Sequence, residues 1–196
     1  MAKDIKDPTL KKPTPVSFGA EKGNSPLFKF FIEGLKDIYW AEKQLIVALP
    51  KMEAAATTNE LTLAVGEHLA QTNNHVRRLE KIFAIIGHPA EGKVCFAMQG
   101  LLKEADSIVE ETDEGSMTRD AAIIMAAQKV EHYEIATYGS LTEYAKLLGL
   151  NDVHGLLQLT LDEERMTDQG LTLIAQNKIN WEAELEEVSE GSANLN

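Results

Sequence analysis

Five carboxylates and one imidazole stand where the long helices of this chain should present leucine: Glu42, His75, Glu131, Glu134, Glu164 and Asp168. A carboxylate taken out of water costs several kcal/mol unless a proton, a cation or a dense set of hydrogen bonds compensates it. Glu42 lies four residues after Ile38 and three before Leu45, so it points where they point. Glu134 continues Ala127 and Val130 and precedes Tyr138, with Glu131 three residues earlier on the same face. Glu164 and Asp168 continue Leu157 and Leu161 toward Leu171, and His75 sits beside Thr72 and Val76. Carboxylates with an occasional imidazole are the ligand set of iron and manganese, and two such ions side by side react with oxygen or peroxide. The expected cofactor is therefore a pair of metal ions, iron first and manganese second, inside a bundle of helices.

The spacing repeats. From Glu42 to Gln71 and His75 the offsets are 29 and 33 residues, and from Glu134 to Glu164 and Asp168 they are 30 and 34. Two helical hairpins of equal reach, each with ligands at one level, produce such offsets. The competing reading is that charged residues on long helices face water, and a rotation of one position would turn any of these outward. Four helices agreeing at one level favour the metal. By the same reasoning Asp162 and Glu163 are expected on the solvent face, and His68, His132 and His154 at the surface or rim, His132 as a possible neighbour of a ligand. His88, before a proline, reads as loop. Tyr39, Trp40, Tyr133 and Tyr138 read as core aromatics; one of them could carry electrons, but nothing in the sequence selects which.

Four long amphipathic segments must position these groups. Ser25-Pro26 has the form of an N-cap followed by proline at the first helical position, opening a helix over Pro26 to Ala56 with apolar residues at Leu27, Phe31, Leu35, Ile38, Leu45, Leu49 and Met52. Pro50 predicts a kink in it. A second helix, capped by Asn59 and lined by Leu61, Val65, Leu69, Thr72, Val76, Leu79 and Phe83, stops at Gly87-His88-Pro89. The short link makes these two antiparallel neighbours. About thirty residues follow, with an amphipathic piece around Phe96, Leu101, Leu102, Ile108 and Val109, enough to carry the chain back along the bundle. Thr118 or Ser116 caps the third long helix, which ends at Gly149, and Asn151 caps the fourth. No alternating apolar pattern competes, so the fold class is all-α.

Composition narrows the function. The 196 residues suit one domain with tails, with 44% apolar and 26% charged residues. A net charge of -12 leaves no basic face for nucleic acid. No stretch is apolar enough for a bilayer or a signal peptide, so neither a membrane partner nor export is expected, and the protein is placed in the cytoplasm. A lone cysteine, Cys95, reads as a small buried hydrophobe. Residues 1–24, rich in Lys, Pro and Gly, read as a mobile arm, 25–179 as the bundle, and 180–196 as an acidic tail. Within that tail Trp181, Leu185 and Val188 could dock one more helical turn.

The strings IYWAEKQLIVALPKM, HLAQTNNHVRRLEKIF, QKVEHYEIATYGSL and LDEERMTDQGLTLIA closely resemble the YciE/YciF family of ferritin-like proteins, from about Pro26 to Ile174. The resemblance implies a ferritin-like antiparallel four-helix bundle with a short extra helix in its crossover, a homodimer, and a buried two-metal centre like that of rubrerythrins. It also implies association with bacterial stress responses. The ligands it implies are Glu42, His75, Glu131, Glu134, Glu164 and Asp168. Helix two departs from the family pattern: where acidic residues are typical, this chain has Ala70 and Gln71. Gln71 offers a carbonyl oxygen but no negative charge and no bridge between two ions, so one metal position is expected to be weak or empty.

Two functions follow, together with a third that ranks below them. One is a di-metal protein using oxygen or peroxide under stress. The other is a non-catalytic dimeric bundle that has lost a full ligand set; a hollow iron-storing shell ranks lower, since fold alone does not confer assembly. If Glu42 is an uncompensated buried charge, Glu42→Leu should stabilise the metal-free protein.

Overall fold

A computed structural model describes residues 25–187, which form a helical bundle with no strand among the described residues. Helix α1 spans Pro26–Ala55, and the Ser25 hydroxyl accepts the Phe28 N–H at 3.1 Å, the cap its Ser-Pro start predicts. It runs on through Pro50, whose ring is exposed. Helix α2 spans Asn59–Ile86 and ends on Gly87, whose φ of 72° is the left-handed conformation that glycine adopts without strain. Its cap is Thr58 rather than Asn59: the Thr58 hydroxyl accepts the Leu61 N–H, and Asn59 is the first helical residue.

The crossover holds α3, Phe96–Glu111, whose first turn is capped by the buried Cys95 thiol, accepting from Met98 N–H. Helix α4 spans Met117–Leu147 with Ser116 as its cap. Helix α5 spans Asn151–Ile174 and has no side-chain cap; Leu150 occupies the capping position and Asn151 lies already inside. The chain continues through one π-helical stretch, Ala175–Ile179, into a short α6, Asn180–Glu184.

Contacts close the bundle in the order α1, α2, α5, α4, with α3 lying on α4 and touching α1. The chain ends give the directions. His88, just past α2, lies against Phe28 at the start of α1, so the first hairpin is antiparallel. Asp120, in the first turn of α4, accepts the Thr57 and Thr58 N–H groups at 2.6 and 2.8 Å, so α4 begins where α1 ends. The crossover therefore carries the chain the length of the bundle, which α3's amphipathic stripe permits by covering α4. No helix among the described residues is long and apolar enough to cross a membrane.

The last described residues dock by charge. Trp181 and Leu185 are 71% and 78% exposed, contrary to the apolar docking expected of them, and Val188 lies outside the described residues, as does the whole of the 1–24 arm. Glu186 instead accepts the Met117 and Thr118 N–H groups, placing a carboxylate at the positive end of α4. The apolar anchors of this segment are Ala175 and Ile179, both buried.

Candidate metal centre

Each long helix delivers its polar residues to one level of the core. Glu42, His75, Glu134 and Glu164 are wholly buried, and Glu131 is 1% exposed. They come from α1, α2, α4 and α5, as their positions on the apolar stripes require. Their atoms converge in two groups, each with donors within 4.8 Å of one another: His68, Glu131, Glu134 and Glu164 in one, and Glu42, His75 and Glu164 in the other. Glu164 belongs to both.

His68 is the residue that sequence reasoning misplaced. It is 5% exposed, not at the rim, and its Nε2 lies 3.2 Å from Glu131 Oε1. The buried face of α2 is Leu61, Val65, His68, Thr72, His75 and Leu79, one position round from the stripe drawn through Leu69 and Val76. A seven-residue step from His75 to His68, two helical turns on one face, was the available signal. Asp168 stands outside both groups, and Gln71 lies beside one of them, its side chain hydrogen-bonded to His68. Gln71 Oε1 accepts from the Thr167 hydroxyl at 3.1 Å, and Asp168 Oδ1 accepts from Gln128 at 3.0 Å and lies 3.3 Å from the exposed His132. Both are half-buried, and neighbouring side chains hydrogen-bond them. His132 and Asp162 are exposed as expected, and His154 is half-buried with its ring against the Thr142 carbonyl.

Glu163 also departs from its expected solvent role. It is 26% exposed, forms two 2.6 Å hydrogen bonds with Arg78, and its Oε2 lies 2.8 Å from His75 Nε2. A carboxylate fixed by a forked guanidinium thus holds the outer nitrogen of the ring, which fixes the ring's orientation and turns Nδ1 inward. Nδ1 lies 3.0 Å from Glu164 Oε1 and 3.4 Å from Glu42 Oε1, close enough for charge attraction but in no directed hydrogen bond. Of the four aromatic candidates, Tyr138 is the one at the centre: its hydroxyl donates to Glu42 Oε1, and its ring meets His75 edge-on. Tyr133 is engaged elsewhere, donating to Asp37 and touching the Cys95 thiol.

The acid–base state follows from burial. Burial is the main reason that Glu131 and Glu134 are held well above the usual carboxylate range, and the neighbouring Glu164 and Glu42 charges add to it. Burial likewise lifts Glu164, restrained by the His75 ring beside it, to about 7. Burial alone would pull His75 down, but Glu164 and Glu42 outweigh it and raise the ring to about 10. Burial and the His75 charge push His68 down to about 4. Without a cation, then, the cluster is a proton-bearing one with a charged His75 and a neutral His68.

The hydrogen-bond inventory tests whether a cation fits. Glu42 Oε2, His68 Nε2, His75 Nδ1, Glu131 Oε2 and both oxygens of Glu134 and of Glu164 are buried with no hydrogen-bond partner. Native interiors rarely tolerate even a few such atoms, and these share one small volume. Their chemistry, carboxylate oxygen with one imidazole nitrogen per group, is that of borderline divalent ions.

A family profile described as "Domain of unknown function (DUF892)" matches residues 27–184. The chain is 43% identical over 155 residues to Protein YciF of Escherichia coli K12, covering 79% of this chain and 93% of that one. The crystal structure of that E. coli protein, described there as a stress protein, superposes with a TM-score of 0.75 at 41% identity, covering 79% and 97% of the two chains. YcfI of Rhodopseudomonas palustris, provisionally described as structural, superposes at 0.73 with 39% identity, covering 76% and 94%.

Proposed function

The chain belongs to the DUF892 family, and on that premise we propose that it holds two transition-metal ions, iron first and manganese second, and uses them with oxygen or peroxide in a stress response. The observation that carries the reading is the set of unpartnered donor atoms gathered in two groups that share Glu164. His68, Glu131 and Glu134 would hold one ion and Glu42 and His75 the other, with Glu164 available to both. Such a pair supplies Lewis acidity and one-electron exchange with a small oxidant.

The protein's own residues prepare the site. The Arg78–Glu163 fork selects the His75 tautomer that offers a lone pair at Nδ1. Tyr138 restrains one oxygen of Glu42 and leaves the other free. Thr167 lies 3.5 Å from His68 Nδ1 and also engages Gln71, orienting the second imidazole. Ile38, Leu45, Leu157 and Leu161, all buried, keep bulk water out of this level of the bundle. Because His75 and several carboxyls carry protons in the metal-free state, ion binding must release protons.

Elemental analysis after ferrous reconstitution tests the reading: about two ions per chain in the wild type and none in Glu164→Ala. No metal on the wild-type chain would remove it. The uncharged Gln71 beside His68 and the engagement of Asp168 with Gln128 support a second reading, a structural bundle with an incomplete centre, and the metal-free result would favour it. The same proposal includes a cytoplasmic homodimer, checked by sedimentation of the full chain and by cell fractionation.

A further inference from the structure

On the His68 side the centre borders a cavity of about 50 Å³. It is walled by the methyl groups of Ala48, Ala64, Ala105, Ala126 and Ala127, contributed by α1, α2, α3 and α4. Interiors are close-packed, so alanines facing one another on four helices around a void are a feature of the sequence rather than slack. Three lining residues are polar. Thr167 spends its hydroxyl on Gln71 and on the Glu163 carbonyl. The other two, His68 and Glu131, are 5% and 1% exposed, and their Nε2 and Oε2 atoms have no hydrogen-bond partner. The buried Leu45, Leu49, Ile123 and Leu171 and the half-buried Met52 and Leu102 share the apolar lining.

A water molecule needs two to four polar partners, and the lining offers unpartnered ones only at the His68 and Glu131 end, where the ions would claim both side chains. By the same measure one water-sized sphere takes roughly 10–15 Å³, so the cavity of about 50 Å³ holds about three to five such spheres, room for a small molecule of a few heavy atoms. We propose that this cavity is a binding site for a small apolar gas molecule, dioxygen in the cell, held directly against His68 and Glu131. Hydrogen peroxide, with two O–H donors to satisfy, finds no acceptor along the alanine walls once His68 and Glu131 hold an ion, and is disfavoured there. The inference rests on the metal reading for what the gas does, and on the cavity alone for where it sits.

Xenon is the probe for the seat. The ¹²⁹Xe resonance should show a saturable shift with the full-length protein, lost in Ala64→Leu, which fills the cavity from α2. Ala105→Leu fills it from α3, outside the four long helices, and decides the matter if the first variant does not fold. A shift linear in xenon pressure, or one unchanged in a folded variant, overturns the site. The second arm follows ferrous-loaded protein mixed with either oxidant. Dioxygen takes one electron from each of two ferrous ions and two protons to give hydrogen peroxide; peroxide takes the same electrons and protons to give two waters. The ratio of the dioxygen rate to the peroxide rate should fall about tenfold in the cavity-filling variant. An unchanged ratio with xenon displaced overturns the assignment to dioxygen. Failure to bind ferrous iron removes the oxygen chemistry as well, while the xenon result still decides the apolar seat.

Discussion

Asp120 and Glu134 lie on the same helix, both wholly buried, and meet opposite circumstances. At the end of the bundle Asp120 accepts two backbone N–H groups, from Thr57 and Thr58, so one carboxylate closes the α1–α2 corner and aligns it with α4. At the waist Glu134 has no partner on either oxygen. A corner has free backbone donors to satisfy a charge; the middle of four continuous helices has none, because every N–H there is spent inside its own helix. Asp120 at the end is thus answered by the fold, and Glu134 at the waist is left for a proton or a cation.

The contrast can be broken from either side. The largest effect belongs to the corner: Asp120→Ala leaves a buried pair of donors unanswered and should cost about 3 kcal/mol in denaturant unfolding, with metal stoichiometry unchanged in the folded fraction. A cost near zero would mean the corner is held by other contacts. Next comes Glu163→Gln, which loosens His75 without touching the donors. Metal affinity should fall roughly 10- to 100-fold by competitive chelation while the melting temperature moves little. Equal affinity would detach the Arg78–Glu163 fork from the centre.

At the waist, Glu134→Leu should stabilise the metal-free protein by about 1–2 kcal/mol, since it removes unsatisfied polar atoms from the core, and should weaken the metal-loaded protein. Glu42→Leu, the change that burial alone would nominate, should not behave this way. Glu42 is bonded by Tyr138 and paired with His75, so its removal strands both. Metal-free melts of the two variants side by side make the comparison, and a gain for Glu42→Leu would contradict it.

The smallest effect is the pH slope of the metal-free protein. Glu164, at about 7 in the fold, and His75, at about 10, both lie above their ordinary values. The folded chain therefore binds more protons than the unfolded one at these sites, and their stabilisation is lost as pH rises through the folded values. His68, at about 4, acts in the opposite sense but only below its ordinary 6.5. Between pH 6.5 and 10 the first two are unopposed, so the melting temperature of metal-free protein should fall across that window and the fall should shrink with metal bound. A rise across the same window would sink the protonation scheme.

Much of this was legible one residue at a time. Ser25-Pro26 and Gly87 mark helix ends by chemistry that is local: a hydroxyl within reach of an N–H three residues on, and a glycine free to take a left-handed φ. Glu42, Glu131, Glu134 and Glu164 lie on their stripes because helical periodicity sets direction within a helix. Asn59 and Asn151, which composition nominates as caps, are each preceded by the residue that takes the position, a shift of one residue that composition does not resolve.

By itself, then, the sequence determined four long helices, their hairpin pairing and the presence of buried acid on each side of the core, all of which depend on residues near one another in the chain. The tertiary structure alone decided which face of α2 turns inward, bringing in His68, and left Asp168 of α5 to Gln128. It also decided that Glu163 reaches across to His75 and that five alanines from four helices meet around one void. Rotation of a helix by a fraction of a turn depends on the volumes packed against it from all sides, and no single segment carries that information.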